Sequence, residues 1–168
     1  MKRINTRALV LIALFAAISI VLTRFLVVYL SNSVRISFGM IPVILASLLL
    51  GPLAGAFTGG VADILGSVLF SPLGWYPPLT ISPVLIGILP ALLKPLILKK
   101  VSIARIALII LLSEFLTSMT VTTYLLSGLY GTPYLDLLAV RVPIALAISA
   151  VETVLIFVLY KRLRKETL

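Results

Sequence analysis

The segment LGPLAGAFTGGVADILG, residues 50–66, joins a helix break to a glycine-rich stretch that carries one acidic residue. Proline lacks an amide donor and restricts the residue before it, so the Gly51-Pro52 pair interrupts a helix. Apolar residues continue on both sides of the pair. We therefore predict two helices hinged at Gly51, over residues 36–50 and 53–70.

The helix after this hinge combines small residues with a carboxylate. Gly55 and Gly59 have the spacing that lets helix backbones approach closely in a membrane, which predicts a tight helix contact. Alternatively, the exposed backbone admits a flat ligand near Asp63. An ionised carboxylate in the middle of a span costs about 2.5–3.5 kcal/mol, so Asp63 is either neutralised within the bundle or faces a ligand cavity. We favour the cavity.

Composition requires lipid around most of the protein. Hydrophobic residues make up 61% of the 168 residues and charged residues 11%, with a mean hydropathy of +1.26. Soluble domains are about half apolar and about a quarter charged. We predict an all-α integral membrane protein with six transmembrane helices, forming a single membrane domain over residues 1–168.

The remaining apolar runs supply four of these helices, since about 20 apolar residues cross the hydrocarbon core. These helices are predicted over residues 8–30, 79–98, 103–126 and 137–160, with loops at 31–33, 71–78 and 127–133. Three prolines in the fourth span predict kinks instead of a regular helix: Pro83, Pro90 and Pro95.

Basic residues form three clusters, at the start, at one central break and at the end: Lys2, Arg3 and Arg7; Lys94, Lys99, Lys100 and Arg105; Lys161, Arg162, Arg164 and Lys165. Clusters of this kind remain in the cytoplasm. They predict a multi-pass protein of the cell membrane with cytoplasmic N- and C-termini. The clusters explain the formal net charge of +9 as a signal for orientation in the membrane, and we expect no nucleic-acid partner.

The chain contains no cysteine and no histidine. Disulfides, thiolate catalysis and cysteine-ligated metals are excluded, and the commonest general base and metal ligand is missing. We expect no enzymatic activity, no metal and no cofactor. The alternatives are an intramembrane enzyme, which these absences oppose, and a purely structural membrane subunit, which the intramembrane Asp63 opposes.

Two arginines near the predicted outer surface are candidates for anion binding. Arg35 precedes the second helix and Arg141 lies early in the sixth. The planar guanidinium matches a carboxylate bidentately, although snorkelling to lipid phosphate or pairing with Asp136 is an ordinary alternative. Arg24 either reaches outward or balances a buried acid.

Other polar or small residues are candidates with structural alternatives. Thr123 and Tyr124, in the outer part of the fifth helix, are predicted ligand contacts, although threonine also packs well within bundles. Ala13, Ala16 and Ala17 form a small-residue face on the first helix, which either packs inside the bundle or docks a second membrane protein. Both interpretations are compatible with the sequence.

Several motifs together resemble those of a known family. They are RISFGMIP at 35–42, LGPLAGA at 50–56, ADILG at 62–66 and TYLLSGLYG at 123–131, followed by Arg141. In order and spacing they are similar to the signatures of the substrate-binding S component of energy-coupling factor (ECF) vitamin transporters, specifically the folate type. Pantothenate or another vitamin is the alternative substrate, because related S components share parts of this pattern.

The resemblance implies a subunit that captures a vitamin from the outside and delivers it by reorienting in the membrane. Its expected partners are a transmembrane scaffold protein and two ATPases. In the family, a small-residue face on the first helix contacts the scaffold, which assigns that role to Ala13, Ala16 and Ala17.

Folate chemistry is compatible with the candidate residues. The pterin edge presents paired N–H donors that Asp63 can accept. The ring can stack on Phe38, Tyr76 or Tyr124. The glutamyl tail is anionic, and Arg35 or Arg141 can neutralise it.

Overall fold

The structure, a computed structural model, describes residues 6–31, 34–70 and 74–167. Within these residues the chain forms six helices and one antiparallel β-hairpin. The helices are α1 (Thr6–Arg24), α2 (Met40–Leu50), α3 (Pro52–Phe70), α4 (Ile81–Ile97), α5 (Ile103–Tyr130) and α6 (Tyr134–Thr167), and the strands are β1 (Val28–Ser31) and β2 (Val34–Ile36). The predicted all-α class with six helices is confirmed, and all except α2 are long and apolar enough to cross a membrane.

Some sequence predictions fall outside the described residues. They concern Asn32 and Ser33 of the predicted turn, residues 71–73 of the predicted loop, and the basic residues Lys2 and Arg3. The side chains of Arg35 and Lys165 are likewise not described.

The predicted hinge at Gly51 is confirmed. Helix α2 ends at Leu50, and α3 begins with Pro52. Gly51 between them has φ +105°, a conformation that residues with a Cβ rarely adopt. Proline is well suited to the first helical position because no intrahelical acceptor is needed there.

Helices α3 and α4 touch through their backbones. A Cβ built on Gly55 would lie 2.0 Å from the Gly87 carbonyl oxygen, and one on Gly59 would lie 2.2 Å from the Pro83 carbonyl oxygen. In the opposite direction, a Cβ on Gly87 would lie 2.2 Å from the Gly55 carbonyl oxygen. The predicted tight helix contact is therefore confirmed, and α4 fills the surface beside these two α3 glycines.

The core is built around the short helix α2. Val43, Ile44 and Leu48 are each at most 1% exposed. They pack with side chains from the surrounding helices: Phe15, Ile86, Ile106, Ile110, Ile156 and Tyr160. Large apolar side chains on the outer surfaces of the longer helices are exposed, as a lipid environment requires.

The first helix is shorter than predicted, and a hairpin follows it. Helix α1 ends at Arg24, whereas the apolar run continued to residue 30. At 1.5 Å per residue its 19 residues already extend about 28 Å, nearly the hydrocarbon thickness. Residues 28–31 instead pair antiparallel with β2, with Val28 opposite Ile36 and Tyr29 opposite Arg35.

Helix α4 runs without a break from Ile81 to Ile97, so the kinks predicted at Pro90 and Pro95 do not interrupt it. Next to Pro90, the Ala91 amide donates to Ser47 Oγ of α2 at 3.1 Å, a bond from α4 to the neighbouring helix. Near the end of α4, Lys94 Nζ donates to the Leu48 carbonyl at 2.7 Å, so this lysine also stabilises the end of α2.

The fifth helix extends further than predicted. The loop predicted at 127–133 is helical as far as Tyr130, and Gly131 ends the helix with φ +65°. The middle of α5, Phe115–Thr122, is π-helical, with a wider turn than the α-helical segments on either side.

We expect Gly87→Ala to lower the free energy of unfolding by about 1–3 kcal/mol, because its methyl group overlaps the α3 backbone. Thermal unfolding in detergent, followed by circular dichroism, measures the change. Gly128→Ala is the matched control, since a Cβ there meets nothing within 4 Å. Equal midpoints for the two variants would contradict the proposed importance of the α3–α4 contact.

Candidate functional site

Asp63 is bonded to the segment that connects α3 to α4. Thr80 Oγ1 donates to Asp63 Oδ2 at 2.7 Å, and Trp75 Nε1 donates to the same Thr80 oxygen at 2.9 Å. Thr80 ends a short 3₁₀ turn, Pro77–Thr80, that leads directly into α4. The intramembrane carboxylate is therefore half-buried and hydrogen-bonded.

A second polar contact links the start of α4 to α5. Thr122 Oγ1 donates to Ser82 Oγ at 2.8 Å, and Ser82 is 5% exposed. Ser82 lies two residues after Thr80, so the first turn of α4 contacts α5 while the turn before it contacts Asp63 on α3.

A third polar contact links α5 to α6. Arg141 Nη2 donates to Ser118 Oγ at 3.2 Å. The Tyr134 hydroxyl donates to the carbonyl of the neighbouring Met119 at 3.0 Å. Tyr134 and Arg141 are seven residues apart, which places them on one face of α6. That face contacts the π-helical segment of α5.

The π-helical segment positions the α5 residues that make these contacts. Thr123 Oγ1 donates to the Ser118 carbonyl, five residues earlier, at 2.8 Å. Such segments are frequent at functional sites because the wider turn redirects side chains. Here it presents Thr122 to α4 and Ser118 to α6.

These contacts form what we call the polar band, which crosses four helices and comprises Asp63, Thr80, Ser82, Thr122, Ser118 and Arg141. One end carries a carboxylate and the other a guanidinium, with hydroxyl groups between them. The arrangement suits an elongated ligand with N–H donors at one end and a negative charge at the other. No group of three or more metal-ligating acidic, histidine or cysteine side chains occurs in the described part of the chain.

The structure places the predicted aromatic contacts in different environments. Phe38 is half-buried and packs against the core. Tyr76 is 41% exposed and directly follows Trp75, whose indole N–H donates to Thr80, the residue bonded to Asp63. Tyr124 is 72% exposed, whereas Thr123 beside it is fully buried and its hydroxyl is bonded to the helix backbone.

Arg35 and Arg141 were predicted as a pair of anion-binding residues. Arg35 lies in β2, opposite Tyr29 of β1. Strand β2 packs beside α6, the helix that carries Arg141. The structure thus shows the strand of Arg35 beside the helix that carries Arg141, and a bond from Arg141 to Ser118.

The small-residue face of α1 is divided by burial. Ala16 is 3% exposed and packs inside the bundle. Ala13 and Ala17 are exposed on the outer surface of α1. Of the three alanines, only Ala13 and Ala17 are therefore accessible from outside the bundle.

Other charged residues of the spans also contact protein groups. Arg24 Nη2 donates to Ser67 Oγ at 2.7 Å, and its Nε lies beside Gly66, so Arg24 packs along α3. Glu152 is 1% exposed and lies within electrostatic reach of Glu114. Glu114 in turn lies within electrostatic reach of Arg141.

Thr80, Ser82 and Ser118 were not among the residues predicted from sequence. For α5 a signal was present, since Ser118 and Thr122 are four residues apart in an otherwise mostly apolar helix. Thr80 and Ser82 are short polar residues in a proline-rich segment. Their bonds to Asp63 of α3 and to Thr122 of α5 become visible only when these helices pack.

Comparison with known proteins gives consistent matches. The family model described as the S component of the ECF-type riboflavin transporter matches residues 3–165. The folate transporter FolT of Clostridium novyi (strain NT) is 30% identical over 131 residues, which cover 78% of this chain and 73% of that protein.

Solved structures share the fold. A crystal structure of FolT bound with folic acid has a TM-score of 0.81 and 24% identity, covering 94% of this chain and 95% of that one. The S component of a bacterial ECF transporter has a TM-score of 0.71 and 23% identity, covering 95% and 96% of the two chains.

We expect Thr80→Val to release Trp75, because valine can neither accept the indole N–H nor donate to Asp63. Trp75 is the only tryptophan in the sequence, so intrinsic fluorescence reports on it alone. Lower anisotropy and stronger acrylamide quenching are the expected results. Thr120→Val, at an exposed position on α5, is the control, and identical fluorescence of the two variants would show that the bond does not restrain Trp75.

Proposed function

Since this chain belongs to the S-component family of ECF-type transporters, for which the matching model is that of the riboflavin transporter, we propose that it is a folate-binding subunit of an ATP-driven vitamin importer. The resemblance found in the sequence motifs is thereby confirmed at the level of the family, and the chain is a multi-pass membrane protein. The polar band, with Asp63 at one end and Arg141 at the other, is the observation that carries the choice of folate.

The pterin ring is assigned to the Asp63 end. A pterin presents adjacent N–H donors, and a carboxylate has about four acceptor positions, so Asp63 can accept them in addition to the Thr80 hydroxyl. Tyr76 lies next to Trp75, which makes it the best-placed aromatic residue to stack on the ring. Phe38, Thr123 and Tyr124 remain predicted contacts.

The glutamyl tail is assigned to the guanidinium end. Arginine binds carboxylates through a planar fork, and such charge-assisted bonds are stronger than neutral ones. Arg141 lies on α6 and Arg35 on the strand that packs beside α6, so both can serve the tail.

Ligand chemistry distinguishes folate from the other vitamins. Riboflavin has a neutral ribityl chain and no carboxylate, so it offers no negative charge for Arg141 to bind. Pantothenate has a carboxylate but no ring with paired N–H donors for Asp63. Folate has both, and the relative from Clostridium novyi is named as a folate transporter.

Energy for transport is assigned to partner subunits. None of the ten glycines is followed by the Lys and Ser or Thr of a Walker A motif, so this chain has no nucleotide site of that kind. We assign the energy source to two ATPases joined through a transmembrane scaffold, with the scaffold contacting Ala13 and Ala17. The three basic clusters support cytoplasmic N- and C-termini.

Titration calorimetry tests the substrate. Detergent-purified protein, stripped of copurified ligand, is titrated with folate, riboflavin, pantothenate and thiamine. We expect saturable binding of folate near 1:1 and a loss of about 10- to 100-fold in folate affinity for Asp63→Asn, the range for a charge-assisted hydrogen bond. Asp136→Asn, at an exposed position, is the control. Tight binding of another vitamin would refute the folate assignment.

Replacing the exposed alanines tests the partner surface. In Ala13→Trp/Ala17→Trp the indoles block close helix approach, so copurification with the scaffold and ATPases should be lost while folate binding is kept. Ile18→Trp, on another exposed part of α1, should affect neither. Normal complex formation by the double variant would show that the scaffold binds elsewhere.

A further inference from the structure

We infer that two residues of α5 set the affinity for the ligand's negative charge by acting through Arg141: Ser118 holds the guanidinium in position, and Glu114 competes with the ligand for it. This inference rests on the proposed function and deepens it. It assigns a positioning residue and an internal competitor, both on α5, to the carboxylate end of the site.

The positioning role follows from the contact between α5 and α6. Ser118 Oγ accepts a hydrogen bond from Arg141 Nη2 at 3.2 Å, and Tyr134 fixes the same face of α6 through the Met119 carbonyl. A guanidinium carries five N–H donors in a rigid fork, so a bond to one serine orients the group and is compatible with a bidentate carboxylate contact. A long arginine side chain loses rotamer entropy when it binds an anion, so a bond that already orients it strengthens anion binding.

The π-helical segment makes this position rigid. The Ser118 carbonyl accepts from Thr123, and the Thr122 hydroxyl bonds to Ser82 of α4. Ser118 is therefore held by contacts on both sides of the segment. Its hydroxyl therefore offers the Arg141 guanidinium a hydrogen-bond acceptor at a fixed position.

The competing role follows from the position of Glu114. It lies four residues before Ser118, and therefore one turn away on the same side of α5. Its carboxyl group is within electrostatic reach of Arg141. A ligand carboxylate must therefore share Arg141 with Glu114.

The two roles predict changes of opposite sign. Removing the Ser118 hydroxyl takes away one bond that positions the guanidinium and weakens binding of an anionic ligand. Neutralising Glu114 removes the competitor and strengthens binding. A purely structural role for both residues would weaken binding in both variants.

Calorimetry with two probes tests this: folate, and folate α,γ-diamide, in which both tail carboxylates are neutral amides. For Ser118→Ala we expect folate affinity to fall about tenfold, as for the loss of one hydrogen bond to a charged group, and diamide affinity to stay within about twofold. Ser118→Thr restores folate binding because it keeps the hydroxyl. Glu114→Gln binds folate several-fold more tightly with little change for the diamide, and Thr120→Val changes neither.

The outcomes distinguish a failure of the proposed function from a failure of this inference. A wild-type protein that does not bind folate overturns both the proposed function and this inference. Normal folate binding with equal losses for folate and diamide in Ser118→Ala overturns the inference alone, as does weaker folate binding in Glu114→Gln. Thermal unfolding is measured for every variant. If Glu114→Gln does not fold, Glu114→Asp replaces it, because the shorter side chain withdraws the charge and predicts the same sign.

Discussion

The backbone contact between α3 and α4 is the constraint on which the rest of the site depends. In lipid no hydrophobic force draws two helices together, so association relies on close packing and polar contacts. Gly59 meets the Pro83 carbonyl at the end of this contact that is nearer Asp63. Asp63 is one turn further along α3, and Thr80 is three residues before Pro83, so the crossing brings the carboxylate and the hydroxyl together. A side chain at Gly59 would separate them.

The polar band extends this arrangement across the bundle. Each contact joins a different pair of elements, from α3 to the turn before α4, from α4 to α5, and from α5 to α6. Because hydrocarbon offers no hydrogen-bond partners, polar side chains at this depth must find one another, water or a ligand. The hydroxyl contacts thus position the two charged ends without adding further charge to the interior.

The fold was largely predictable from local pattern, whereas the site was only partly so. Gly51-Pro52 and the apolar runs determine the helix count, and the glycine spacing indicates the close contact of α3. The hairpin was missed because the start of β1, Val28 to Leu30, continues the apolar run of α1. The bond from Arg141 to Ser118 was also missed, since these residues are 23 positions apart and meet only when α5 and α6 pack.

The shortness of α2 has a consequence for hydration. The Ser19 hydroxyl of α1 donates to the Gly39 carbonyl, just before α2 begins, at 2.7 Å. Because α1 continues for five more residues, to Arg24, α2 begins deeper in the bundle than the end of α1. The chain from the hairpin to Gly39 therefore descends below the ends of the longer helices. A two-stranded ladder pairs only its inner edge, and the outer backbone groups need protein or water around them. Hydration is therefore expected to reach deeper at this corner of the bundle than at the ends of the longer helices.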